Sequence, residues 1–232
     1  ILIVEDSAHT LVGQYSDGKN LGFYSDYVIF SFYATKNITC GEGGALIGNS
    51  RKIIENAKIV SNNGMTKNAI SRFKIKQYND WNVNKIGFKA LLNDLSASLL
   101  INQFKNIKKD HSKRKKIYDL YCKHLSNVEG ILIPKNSNCK SRDYHLFPIG
   151  IFKKKFNRDK FIAFMSKNNI DFTVNFRSIL NLNFYKKKYG KQKCFNADFW
   201  GNRMISLPFH SKLIEKNIIY ITKILKKYIY QH

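Results

Sequence analysis

Two short segments near the front of this sequence bring together a carboxylate, an imidazole, a hydroxyl and an amine. They are Val4-Glu5-Asp6-Ser7-Ala8-His9 and Phe30-Ser31-Phe32-Tyr33-Ala34-Thr35-Lys36-Asn37. Each is entered from a continuous apolar run, the mark of a strand covered on both faces. Open α/β sheets place ligand groups just beyond the carboxyl ends of their strands. Asp6 stands just past the end of the first run, and Ser31 and Lys36 at and just beyond the end of the second. The three are therefore expected on one rim of a sheet, where a single ligand could meet an anion, a hydroxyl and a cation. The turn Gly41-Glu42-Gly43-Gly44 leaves the backbone free to pass close to a ligand or a neighbouring subunit. Taken singly, each residue has a plainer role. Asp6 would serve as a helix N-cap, Lys36 would be solvated, Ser31 would bond its own backbone, and His9 would be structural.

The elements that must carry these residues read as an alternation of strand and helix. Residues 1–5, 27–33 and 44–48 are predicted strands, with glycine-rich turns between the first two and a helix over about 51–61. Residues 64–85 are polar and irregular and read as a loop. A long helix is expected from Asn93, a good N-cap, with Leu95, Leu99, Phe104 and Ile107 as its apolar stripe. Beyond about 125 the pattern changes to a strand near 145–152, a helix near 157–167 and a strand near 170–176. A last helix carries Ile214, Ile218, Ile221, Leu225 and Tyr228 at helical spacing. The order predicts an α/β layer over residues 1–108 and a smaller α+β unit over 109–232.

Composition narrows the class. The chain has 232 residues, 44% of them apolar and 14% aromatic, which is ample for a packed core. No apolar run reaches the roughly 18 residues needed to cross a bilayer, so no membrane insertion is expected. Four cysteines, Cys40, Cys122, Cys139 and Cys194, lack metal-ligand spacing, which predicts no metal site, free thiols and a cytoplasmic location. The net charge of +24 comes from lysines spread along the whole chain, with clusters at 113–116, 153–155 and 186–188. That distribution reads as a lysine-rich solvated surface, with a polyanion site as the alternative and no specific nucleic-acid partner expected. The sequence opens without Met, directly on Ile1-Leu2-Ile3-Val4, which predicts a portion of a longer protein.

In combination the segments are far more specific than singly. EDSAH, SFYATKN and GEGGAL resemble the ED-x-A-H/Q, SF-x-x-x-K and GEGG signature of the DegT/DnrJ/EryC1/StrS sugar aminotransferases, at similar intervals. Asn63-Gly64-Met65 is similar to that family's HGM-type turn, and residues 87–104 to its GYKYN helix start. Arg114, Tyr144-His145-Leu146-Phe147 and Ile205-Ser206-Leu207-Pro208 also fall where relatives carry similar residues. The resemblance implies the C-terminal part of a pyridoxal phosphate (PLP) fold type I large domain, followed by a small α+β domain. It implies Lys36 as the Schiff-base lysine and proton shuttle, and Asp6 as the partner of the cofactor's ring nitrogen. Ser31 would bond the cofactor phosphate, and His9 would lie near the phenolic oxygen. The implied reaction is transamination of a nucleotide-linked keto sugar, with glutamate as amino donor, in amino-sugar or polysaccharide biosynthesis. A homodimer is implied for the full-length protein.

The chain also departs from that pattern. Leu91 stands where relatives have an asparagine that reaches a neighbouring subunit's phosphate, Asn63 replaces a histidine, and Asn175 and Asn181 lie where histidines are common. These departures, together with the expected absence of a front portion that helps hold the phosphate, keep a second expectation open. On that reading the chain is a fragment inactive alone, or a non-catalytic fold-type-I relic or interaction module.

Overall fold

A computed structural model describes residues 1–66, 80–134 and 140–231. The chain forms two compact units, Ile1–Ile107 with Asn138–Asp143, and Lys108–Ser137 with Tyr144–His232.

The first unit is built on a mixed three-stranded sheet of β1 (Val4–Asp6), β2 (Tyr27–Ser31) and β3 (Gly44–Gly48), in that order. β1 runs parallel to β2, with Val4 opposite Tyr27 and Asp6 opposite Ile29. β3 is antiparallel to β2, pairing Ser31 with Gly44 and Tyr27 with Gly48. The carboxyl ends of β1 and β2 and the start of β3 thus share one rim, which is the property the site requires. β1 and β2 are shorter than the apolar runs that code for them. Ile3 and Val4 are about half exposed, at 52% and 50%, because among the described residues nothing covers that part of β1.

Helix α1 (Arg51–Ser61) follows β3. It ends in a turn where Asn63 and Gly64 both adopt positive φ, 56° and 75°. A Cβ on Gly64 would stand 1.8 Å from the carbonyl oxygen of Lys85, so only glycine fits under that strand-like segment. Helix α2 (Asp94–Leu125) begins where the sequence places it: the Asn93 carboxamide oxygen accepts the Ser96 amide at 2.8 Å. Its expected stripe is corrected. Leu95 and Leu99 are exposed, and Leu100 instead packs with Phe32, Ile38 and Cys40 in a small core that Ile107 also touches. The buried ridge starts one residue later than the periodicity suggests, because the loop after β2 meets the helix there.

The second unit holds an antiparallel sheet of β4 (Ile131–Leu132), β5 (Phe147–Ile151) and β6 (Met204–Leu207). Helix α3 (Arg158–Ser166) is capped by Asn157, whose side-chain oxygen accepts the Lys160 amide at 2.9 Å. Short helices α4 (Asn183–Tyr189) and α5 (Phe195–Gly201) precede β6, and α6 (Glu215–Gln231) closes the chain. Ile218, Ile221, Leu225 and Tyr228 of α6 are buried as the spacing predicts, but Ile214 precedes the helix and is exposed. The strand expected over 170–176 is absent: Thr173 alone bridges Ser206 there. Phe172 packs against the core from this irregular segment, so burial without a ladder mimics a strand pattern. The residues 117–125 of α2 add Ile117, Tyr118, Tyr121 and Leu125 to this core. Buried Arg114, on the same helix, bonds Asp110 at 2.9 Å and the Tyr144 carbonyl. Among the described residues no helix is long and apolar enough to cross a membrane.

Candidate active site

At the end of β1 two adjacent carboxylates take opposite sides of the strand and do opposite jobs. Glu5 turns to the interior, where it collects donors. Ser7 Oγ donates to Oε1 at 2.7 Å, and Tyr15 Oη, the Gly22 amide and Ser25 Oγ donate to Oε2 at 2.6, 2.9 and 3.3 Å. Burial pushes this carboxyl up, but the four hydrogen bonds outweigh it and hold the group below its ordinary range. In return, Tyr15 is pushed up to about 12, chiefly by its bond to Glu5. Gly22 can offer its amide because its φ of 83° is open to glycine, and a Cβ there would meet the Val28 side chain at 2.6 Å. The loop from residue 7 to residue 25 is therefore folded around one anion.

Asp6 is exposed on the rim. Its Oδ1 accepts the Ala8 amide at 3.0 Å, closing a tight turn that delivers His9. His9 is held below its ordinary proton affinity by burial first and then by the Lys36 ammonium, against the opposing pull of Asp6. A neutral imidazole thus stands within electrostatic reach of both the amine and the carboxylate.

Lys36 leaves β2 on a loop with several anchors. Its amide donates to the Tyr33 carbonyl at 2.9 Å. Three residues on, Gln103 of α2 grips Thr39 at both ends, accepting its amide at 2.9 Å and donating to its carbonyl at 2.7 Å. Ile38 and Cys40 are buried on either side of that grip. Ser31 ends β2 on the same rim, and its Oγ accepts the Tyr33 amide at 3.3 Å. Its contact is local, and among the described residues no bond links it to Asp6, His9 or Lys36. Its placement rests on register alone.

The Gly41–Gly44 turn and residues 90–96 line a cleft of about 280 Å³ that includes Leu91, Asn93 and Ser96. Two of the segments noted in the sequence thus meet in space, and Leu91, the departure among them, is part of that wall. Asn181 is engaged with Asp198 at 2.7 Å in the second unit. Cys40, Cys122 and Cys194 form no disulfide, and Cys139 lies outside the described residues.

Sequence reasoning missed Glu5, Gln103 and Asp143. Glu5 had a signal, an acid inside an apolar run next to Asp6. Gln103 and Asp143 had none, because their partners lie 64 and 106 or more positions away.

Comparison with known proteins gives this rim a context. A Methanocaldococcus jannaschii protein, MJ1066, is 34% identical over 99% of the chain, which spans 60% of that relative's length. A UDP-4-amino-4,6-dideoxy-N-acetyl-beta-L-altrosamine transaminase of Campylobacter jejuni is 28% identical over 95% of the chain and 57% of its own length. Among solved structures, the Streptococcus pneumoniae protein Spr1654 in its PMP form superposes with a TM-score of 0.87 at 25% identity. That match covers 100% of this chain and 59% of that one. The chain thus spans about 60% of the proteins it matches. Both its units follow the fold of PLP fold type I sugar aminotransferases. The profile of one PLP-dependent family matches residues 1–226, from the strand that ends in Asp6 almost to the end of α6. The chain belongs to the DegT/DnrJ/EryC1/StrS aminotransferase family.

Proposed function

We propose that the protein transfers an amino group to a nucleotide-linked keto sugar, using PLP, with Lys36 and Asp6 as its central residues. The observation that supports this most is the shared rim, where parallel β1 and β2 end in Asp6 and Ser31 and the loop leaving β2 carries Lys36. The donor set suits the cofactor. A carboxylate to hold a ring nitrogen protonated, an amine to engage an aldehyde and a hydroxyl to meet a phosphate occupy one sheet rim.

PLP, when bound, supplies an electron sink that stabilises negative charge on the substrate carbon bearing nitrogen. The protein's residues do the rest. The Asp6 carboxylate would hold a proton on the ring nitrogen, and its bond to the Ala8 amide fixes the carboxylate on the rim. Lys36 would hold the cofactor through Nζ, and the same atom, when free, would be the group that moves a proton. His9, whose proton affinity is lowered by burial and by Lys36, would offer a hydrogen bond to the cofactor. Ser31 already accepts one hydrogen bond, and its hydroxyl proton is suited to donate to a phosphate oxygen.

Glutamate as donor, a role in polysaccharide biosynthesis, a cytoplasmic location and a homodimer belong to the same reading. They are what membership of this family implies. The test is Lys36→Ala in the full gene product. It should abolish the visible absorbance of bound cofactor and lower turnover by roughly a hundredfold to ten-thousandfold. Retention of both would remove Lys36 from the reaction.

A further inference from the structure

The loop that follows β1 and the loop that carries Lys36 meet at a residue from a distant part of the chain. Asp143 is 7% exposed, and its Oδ2 accepts the amide of Leu11, two residues beyond His9. Its main-chain oxygen accepts Asn37 Nδ2 at 3.0 Å, and Asn37 is the neighbour of Lys36. The approach of this segment is itself fixed. The Gln14 amide donates to the Ser141 carbonyl at 2.9 Å, and the Lys140 amide to the Tyr15 carbonyl at 3.2 Å.

A buried side-chain oxygen is stable only where a donor meets it, and here the Leu11 amide is that donor. The backbone bonds at residues 140 and 141 hold the segment against residues 14 and 15. Asp143 extends it to both functional loops. Fixing the separation of a carboxylate and an amine matters because displacements of about 1 Å can cost on the order of a hundredfold in rate.

We propose that Asp143 is a positioning residue: by binding Leu11 with its side chain and Asn37 with its backbone, it sets the position of Lys36 relative to Asp6 and His9. This rests on the assignment of Lys36 above. It requires Asp143 to act through geometry, so an uncharged acceptor of the same shape should serve.

The experiment compares wild type, Asp143→Ala, Asp143→Asn and Asn37→Ala in the full gene product. It records kcat and KM for the sugar nucleotide. It also follows, without cofactor, the rate at which acetic anhydride labels Lys36. Asp143→Ala should lower kcat roughly ten- to a hundredfold at unchanged KM and speed Lys36 labelling several-fold. Asp143→Asn should restore both, and Asn37→Ala should show the same trend more weakly. Wild-type values for Asp143→Ala and Asn37→Ala would overturn the proposal. So would an Asp143→Asn protein as impaired as Asp143→Ala, since charge would then be what matters. If Asp143→Ala does not fold, Asn37→Ala decides alone: slower turnover at unchanged KM supports the tie, and wild-type turnover refutes it. The underlying reading fails separately, in the wild type, if Lys36→Ala leaves cofactor absorbance and turnover intact.

Discussion

The two units of this chain are held together by different physics. The second has a continuous core in which Tyr121, Phe147, Phe161, Leu225 and their neighbours are fully buried. Rings there meet closely, Tyr121 and Phe147 at 4.8 Å and Phe161 and Tyr228 at 4.9 Å between centroids. Even its buried phenol is satisfied, Tyr121 Oη donating to the Pro208 carbonyl at 2.8 Å. The first unit has a small core around Phe32, Ile38, Cys40 and Leu100, and many of its apolar side chains are exposed. What orders its rim is polar: Glu5 gathers the loop after β1, Gln103 grips the Lys36 loop, and Asp143 joins the two. Hydrophobic burial is non-directional and suits a scaffold, whereas hydrogen bonds fix direction and suit a site. The residues proposed to react lie in the unit with the thinner core and the denser clamps.

That contrast can be broken or sharpened by substitution. The largest stability loss should follow Phe147→Ala, about 3–5 kcal/mol by chemical unfolding, because a fully buried ring leaves a cavity its neighbours cannot fill. The same change at Phe32 should cost less, since its surroundings can relax into a looser core; an equal cost would erase the distinction. Next comes Gln103→Ala, which strips both bonds from the Thr39 backbone and should cost about 1–3 kcal/mol. Amide exchange at Thr39 should accelerate in that variant while exchange in β5 and β6 stays unchanged. Glu5 gives a pH signature. Its folded-state proton affinity is depressed, so the stability it contributes is present above its ordinary value of 4.5 and disappears as pH falls through the lower folded value. Unfolding followed from about pH 6 down to about pH 3 should show that acid loss, and Glu5→Gln should flatten it. The smallest effect belongs to Arg51→Ala. Its partner Glu55 sits beside it at 2.7 Å on an exposed helix face, and its loss should leave unfolding curves unmoved.

How much of this was legible in the sequence follows the same division. Strand β3 and helix α1 fall where the pattern puts them, and Asn93 caps the helix it is placed before, because those signals are local. Helix α6 shows its buried face through spacing alone. Asp6, His9, Ser31 and Lys36 were legible as strand-end chemistry and, together, as a family signature. The offset of the α2 stripe was not legible, because the loop after β2 decides which ridge is covered. Nor was the absence of a strand at 170–176, where partly buried Phe172 packs on the core and the single bridge at Thr173 is the only pairing among the described residues. The clamps were the least legible part. Gln103 and Asp143 carry no local pattern, and their roles exist only once remote segments have met.

The central claim is that Lys36 is the amine that engages the cofactor. Borohydride reduction of the PLP-loaded full gene product, followed by peptide mapping, tests it most directly. The account predicts the pyridoxyl label on the peptide containing Lys36 and nowhere else. A label on another lysine, with Lys36 unmodified, would contradict it.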